Sequence, residues 1–154
     1  MLTKTIITYG TFDMFHIGHL NLLTRIKSMG GRLIVGVSTD EFNILKGKKT
    51  LIPFDQRRQI VEAISSVDLV IPEENWEQKI SDIKKYGIDT FVMGNDWEGK
   101  FDHLRQYCEV VYLERTVGIS TTELKQSLTN FLSVSKEDIL RAFDILDALR
   151  KDFE

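Results

Sequence analysis

Two of the chain's three histidines, His16 and His19, stand three residues apart around Gly18, within TIITYGTFDMFHIGH at residues 5–19. Side chains one helical turn apart share a face, so both imidazoles can donate to one phosphate group. Gly18 lets a bulky group approach the backbone, and free N–H groups at a helix start favour an anion. A single histidine is most often a satisfied core residue, but a pair at a strand-to-helix turn is a candidate site. Metal binding would need a third ligand, and none stands at a suitable spacing from the pair.

Residues 115–122 (RTVGISTT) form a second candidate anion cradle. Arg115 supplies a guanidinium, Gly118 allows close approach, and three hydroxyls sit at a helix start that Ser120 and Glu123 mark as a capping box. Lys46, Lys48 and Lys49 share one loop, with Arg57 and Arg58 just beyond it. Lysines on a mobile loop can close over a triphosphate. Residues 94–100 (GNDWEGK) are too polar and glycine-rich for a core, and Asp13 and Asp96 are the carboxylates best suited to Mg²⁺ or a ribose hydroxyl. Trp76 and Trp97 read as core or interface rather than as ligand platforms.

The elements that position these residues alternate in type. Residues 5–9 (TIITY), 32–37 (RLIVGV), 68–71 (DLVI), 90–93 (TFVM) and 110–113 (VVYL) read as five short strands, the third closed by Pro72. One helix carries Leu20, Leu23 and Ile26 and ends at Gly30 and Gly31. A second is capped by Asp55 and bears Ile60, Val61, Ile64 and Val67 on one side. A third runs from about Asn75 to Tyr86, with Trp76, Ile80 and Ile83 as its stripe and Gly87 as its stop; residues 40–54 read as a long connection. This order implies an α/β fold with a parallel sheet flanked by helices, and ligands beyond the carboxyl ends of its strands. Residues 1–130 form that unit. Residues 131–154 form a helical extension from Lys136 to about Phe153, with Ile139, Phe143, Leu146, Leu149 and Phe153 as its apolar stripe.

Composition narrows the function. Twenty basic against 23 acidic side chains, a net charge of −3, leave no overall basic footprint for nucleic acid. No apolar run is long enough to insert in a membrane, and the first residues lack the pattern of a signal peptide. The lone Cys108 excludes a disulfide framework and a multi-cysteine zinc site, and suits a reducing compartment. The expected location is the cytoplasm.

With these residues in place, the chain resembles the H-x-G-H cytidylyltransferase family of the nucleotidyltransferase superfamily, nearest to the bacterial glycerol-3-phosphate cytidylyltransferases. YGTFDMFHIGH, STDEFN, NWEQK, VMGNDWEGKFD, EVVYLERT and GISTT carry the resemblance over residues 4 to about 130. It implies a Rossmann-like five-stranded parallel sheet and transfer of CMP from CTP to a phosphorylated alcohol, with Mg²⁺, in a homodimer. The product would be CDP-glycerol, for teichoic acid or a related surface polymer. His16, His19, Lys46 and Arg115 would be catalytic. Gly10, Thr11, Phe12, Asp13, Gly18, Gly94, Asp96, Thr116, Gly118, Ile119, Ser120 and Thr121 would line the nucleotide site, Asp13 also holding the metal. Lys46, Lys48, Arg57, Trp76 and Lys79 would meet substrate phosphate. The helix start should lower the histidines' proton affinity and bound triphosphate should raise it, giving imidazolium in the complex. The chain departs from the family pattern at Val117, where a glutamate is usual, at Ser65, where close relatives tend to carry arginine, and in its length beyond Lys136.

Overall fold

A computed structural model describes residues 3–151. Its strands are β1 (Thr5–Gly10), β2 (Arg32–Ser38), β3 (Leu69–Glu73), β4 (Thr90–Gly94) and β5 (Glu109–Leu113). Its helices are α1 (Ile17–Ser28), α2 (Asp40–Leu45), α3 (Phe54–Glu62), α4 (Gln78–Tyr86), α5 (Thr121–Leu132) and α6 (Lys136–Lys151). The sheet is wholly parallel, in the order β3-β2-β1-β4-β5. The order reverses between β1 and β4, so a crevice opens past their carboxyl ends, where this class of sheet binds ligands.

Alternation along each strand builds two cores. Ile7, Tyr9, Ile34, Phe91 and Met93 pack with Ile83 of α4 on one face. Ile6, Leu33, Val35, Val37 and Val92 pack with Leu23 and Ile26 of α1 and Val61 of α3 on the other. The inner strands β1, β2 and β4 are buried on both faces and so read as continuous apolar runs, while the edge strands β3 and β5 showed as short apolar stretches. Gly36 is required by its neighbour: a Cβ there would stand 2.2 Å from Cδ1 of Tyr9. The Tyr9 ring therefore lies across β2, and its hydroxyl donates to Asp82 at 2.7 Å.

Several expectations change. Residues 40–54 are not a plain connection, because α2 forms inside them with Thr39 accepting from the amide of Phe42. Asp55 does not cap α3; Pro53 holds that position without a side-chain bond, and Asp40 accepts from the amide of Phe54 instead. Ile64 and Val67 lie beyond the last turn of α3, although both still pack on the core. β3 passes through Pro72 to Glu73, which an edge strand tolerates because one side needs no ladder donor. α4 starts only at Gln78, whose backbone amide donates to the side-chain Oδ1 of Asn75, so Trp76 precedes the helix.

Contacts divide the chain into two compact units, with the boundary after Thr121. The reason is burial: neither α5 nor α6 buries a single described side chain. α6 begins with Ser135 accepting from the amide of Asp138. Of its expected stripe, Ile139, Phe143, Leu146 and Leu149 are all exposed, while Phe153 lies outside the described residues. No described helix is long and apolar enough to cross a membrane.

Candidate active site

The histidine pair is set by the chain that leaves β1. Phe12 and Met14 take left-handed backbone angles (φ 53° and 51°), an uncommon conformation for residues with a side chain. That turn folds the Phe12 ring over Gly10, where a Cβ would stand 2.8 Å from ring carbon Cε2. His16 is the N-cap of α1, and its Nδ1 accepts from the amide of Gly18 at 3.0 Å. His19 answers reciprocally: its Nδ1 accepts from the amide of His16 at 3.3 Å. The rings stack with centroids 3.9 Å apart, and Phe12 and Phe15 flank His19.

This geometry assigns the protons. Both Nδ1 lone pairs hold backbone N–H groups, so each neutral ring carries its hydrogen on Nε2. Nε2 of His16 lies 3.3 Å from Oγ1 of Thr121, whose hydroxyl donates to the carbonyl of Asp13 at 3.0 Å. Burial and then the neighbouring His16 pull His19 down to about 4, with Asp13 opposing. Burial and then the Arg115 charge lower His16. Lowered proton affinity in the free chain agrees with the expectation for a helix start, and a second proton on either ring would fall on the Nδ1 that holds a backbone amide.

Arg115 and Asp96 come together from the ends of β5 and β4, with Nε and Oδ2 3.1 Å apart and both side chains about half exposed. Asp96 sits in a short 3₁₀ turn directly after Gly94, and Arg25 fixes the other approach by donating to the carbonyl of Glu114 at 2.7 Å. Gly118 has φ 85°, a conformation that favours glycine and turns the chain into α5. His16, Arg115 and Thr121 are thereby brought to one end of the sheet; Val117 is almost wholly exposed, so its difference from the family pattern leaves the packing untouched.

The basic residues sort differently from their sequence reading. Lys46 is turned inward: its side chain is 7% exposed, and Nζ donates to Ser38 Oγ at 2.8 Å and Glu73 Oε1 at 3.3 Å. Burial lowers its proton affinity, with Glu73 opposing. Lys48 is exposed, with Nζ 5.6 Å from the centre of the Trp97 ring. Arg57, expected at a phosphate, is fully buried and donates to the carbonyls of Ile52, Thr11 and Ser38 and to Asp40 at 2.7–2.8 Å. Lys79, expected likewise, is buried against Glu73 at 2.8 Å. Trp76 is half exposed, in ring contact with Phe42 and Trp97.

Residues 7–127 match the family described as cytidylyltransferase-like. The chain belongs to that family. A protein from Bacillus spizizenii named glycerol-3-phosphate cytidylyltransferase is 60% identical over 127 residues, covering 82% of this chain and 98% of that one. Its namesake from Staphylococcus aureus is 56% identical over 125 residues, covering 81% and 95%. A more distant relative from Encephalitozoon cuniculi, "Probable ethanolamine-phosphate cytidylyltransferase", is 38% identical over 122 residues, 75% of this chain and 38% of that protein. Among solved structures, the lipopolysaccharide core biosynthesis protein of Thermoplasma volcanium superposes with a TM-score of 0.61 at 21% identity, over 74% of this chain and 97% of that one. That likeness shows the shared Rossmann-like fold.

The metal expectation at Asp13 does not fit the family site as this chain builds it. Asp13 is buried, and its two carboxylate oxygens accept from the amides of Leu51 and Ile52 at 2.9 and 3.0 Å. It ties the 46–54 loop to the turn before α1. Asp96 faces Arg115, and among the described residues no three His, Cys, Asp or Glu side chains converge as metal ligands. Sequence reasoning also missed Glu73, the buried carboxylate that holds both Lys46 and Lys79, and Asn43, whose Oδ1 accepts from Thr11 at 3.0 Å. The position of Glu73 at the carboxyl end of a strand was the one available signal.

Proposed function

We propose that this chain transfers CMP from CTP to sn-glycerol 3-phosphate, giving CDP-glycerol and pyrophosphate. The observation that carries this reading is the pair of Nε2–H donors of His16 and His19, stacked at the helix start in a chain 56–60% identical to glycerol-3-phosphate cytidylyltransferases over nearly their whole length. An oxygen of the acceptor phosphate attacks the α-phosphorus of CTP in line, and the bond to the bridging oxygen breaks to release pyrophosphate. That oxygen is already ionised, so no general base is needed. The protein's work is to align two anions and to stabilise charge on the transferring phosphorus. His16 and His19 donate to the α-phosphate through Nε2, and Arg115, Thr116, Ser120 and Thr121 hold the triphosphate. Lys48 meets phosphate from the exposed loop, and Lys46 joins it by leaving Glu73. Mg²⁺ belongs to the proposal as the counterion of the triphosphate.

The wider setting is part of the same proposal: a cytoplasmic homodimer feeding teichoic acid or a related surface polymer. The exposed apolar stripes of α5 and α6 support self-association. Ser65 is exposed, and its hydroxyl in place of an arginine favours a second reading in which the acceptor is another phosphorylated polyol.

Pyrophosphate release, measured with each nucleoside triphosphate against a panel of phosphorylated alcohols, tests both. CTP with glycerol 3-phosphate should give the highest kcat/KM. No release with CTP and any acceptor would end the proposal, and a higher value with another polyol phosphate would move it to the second reading.

A further inference from the structure

Asn43 links a residue expected in the nucleotide site to the exposed lysine loop. Its backbone carbonyl accepts from the amide of Lys48 at 2.8 Å, and its side-chain Oδ1 accepts from the hydroxyl of Thr11 at 3.0 Å. The residue is 1% exposed, and its Nδ2 group meets no hydrogen-bond acceptor among the described residues. A buried donor left without a partner is destabilising, and folded chains keep few of them. Turning the amide over would not cure this, because Nδ2 would then face Thr11 and leave Oδ1 alone instead. In the free chain one partner serves two polar ends.

The backbone on both sides is pinned. Arg57 donates to the carbonyl of Thr11 at 2.7 Å and to that of Ser38 at 2.8 Å, and the amide of Asn43 donates to the Thr39 carbonyl at 3.0 Å. Rotation remains, of the Thr11 hydroxyl about its C–O bond and of the Asn43 amide about its last side-chain bond. A hydroxyl carries a single hydrogen, so while Thr11 gives it to Asn43 it has none for a ligand. With the amide turned, Nδ2 donates to Thr11 Oγ1 and that hydrogen is released. An anion arriving past the carboxyl end of β1 takes it, since bonds to a charged acceptor are the stronger kind, and so selects the turned state.

We propose that Asn43 is a positioning residue that sets the direction of the Thr11 hydroxyl: its side-chain amide turns over when the nucleotide binds, so that Thr11 donates to an anionic oxygen of the triphosphate instead of to the protein. The inference rests on the proposed use of CTP, and its test separates the two.

NMR of the full, isotopically labelled chain with CTP and no acceptor reads the switch directly. The side-chain NH₂ signals of Asn43, assigned through bonds from its backbone, should shift on adding CTP because Nδ2 gains a partner. In Thr11→Val, which lacks the hydroxyl, they should stay in place while other signals still report binding. Kinetics give a second reading. Asn43→Asp offers acceptors only, so the Thr11 hydroxyl stays committed to the protein. KM for CTP should rise about tenfold with kcat nearly unchanged, the order expected for one lost hydrogen bond to an anion. In a Thr11→Val background the same replacement should change KM by less than about twofold. A buried charge acting by itself would raise KM equally in both backgrounds. If Asn43→Asp does not fold, the wild-type and Thr11→Val spectra decide alone. Asn43 signals unmoved at saturating CTP would overturn the proposal, as would equal shifts with and without the Thr11 hydroxyl, or additive effects on KM. A wild-type spectrum left wholly unchanged by CTP would remove the proposed substrate, and the switch with it.

Discussion

His19 accepts the backbone amide of His16 at Nδ1 while its ring stacks 3.9 Å from the ring of that same residue. One imidazole thus completes the helix start that the other opens, and both depend on staying neutral.

That dependence gives stability a pH slope. His19 sits at about 4 in the folded chain, below the ordinary 6.5, because burial penalises its charged form. Between those values the unfolded chain binds more protons, so stability is complete above pH 6.5 and declines as pH falls towards 4. The loss from His19 should reach up to about 3 kcal/mol, and the lowered affinity of His16 adds to it. Urea midpoints at pH 7 and pH 4.5 should differ accordingly. His19→Asn, which keeps an acceptor for the amide, should flatten the difference; a wild-type midpoint independent of pH would contradict the assignment.

Arg57 should behave as a keystone rather than a ligand. Lysine in its place cannot reproduce the planar fork that serves three carbonyls and Asp40. Arg57→Lys should lower unfolding free energy by about 3 kcal/mol, since buried acceptors lose their donors. Thermal melts beside CTP titrations distinguish the roles: a phosphate ligand would raise KM for CTP and leave the melt unchanged.

For Asp13, the question is whether it holds metal or loop. Asp13→Asn presents an NH₂ group to one of two amides that now bond a carboxylate, and should cost about 1–3 kcal/mol. Cleavage by trypsin after Lys48 or Lys49 should quicken. Half-saturation of turnover by Mg²⁺ should stay where it is, and a large rightward shift would return Asp13 to the metal.

The apolar stripes of α5 and α6 should respond to protein concentration. With no described side chain buried in either helix, their amides should exchange much faster in dilute solution than those of β1, β2 and β4. Hydrogen exchange followed by mass spectrometry should show protection of residues 136–151 rising as the protein is concentrated. Protection equal to that of the sheet at every concentration would mean that the stripes are covered within one chain.

What the sequence disclosed was local. The five strands were legible because apolar runs such as residues 32–37 need no partner to be recognised, and the histidine pair was legible because its members lie one turn apart. α2 was not, since six residues are too few to display a helical period. Two of the misread residues, Arg57 and Asp13, have remote partners. Arg57 serves a carbonyl 46 positions away, at Thr11, and Asp13 serves amides 38 and 39 positions away. Glu73 looks like surface charge beside Glu74, and only the parallel pairing of β3 with β2 sets it against Ser38.

Gly18 carries a last consequence. A Cβ at that position would stand 2.7 Å from Cε1 and 2.9 Å from Nδ1 of His16, so the bulky group that this glycine admits is the first histidine itself. The motif therefore behaves as one indivisible word. Changing its third letter to alanine would displace its first, and with the first would go the amide that anchors its fourth. Such a word is kept whole or broken whole, and it is already spelled out in the folded chain before any nucleotide arrives.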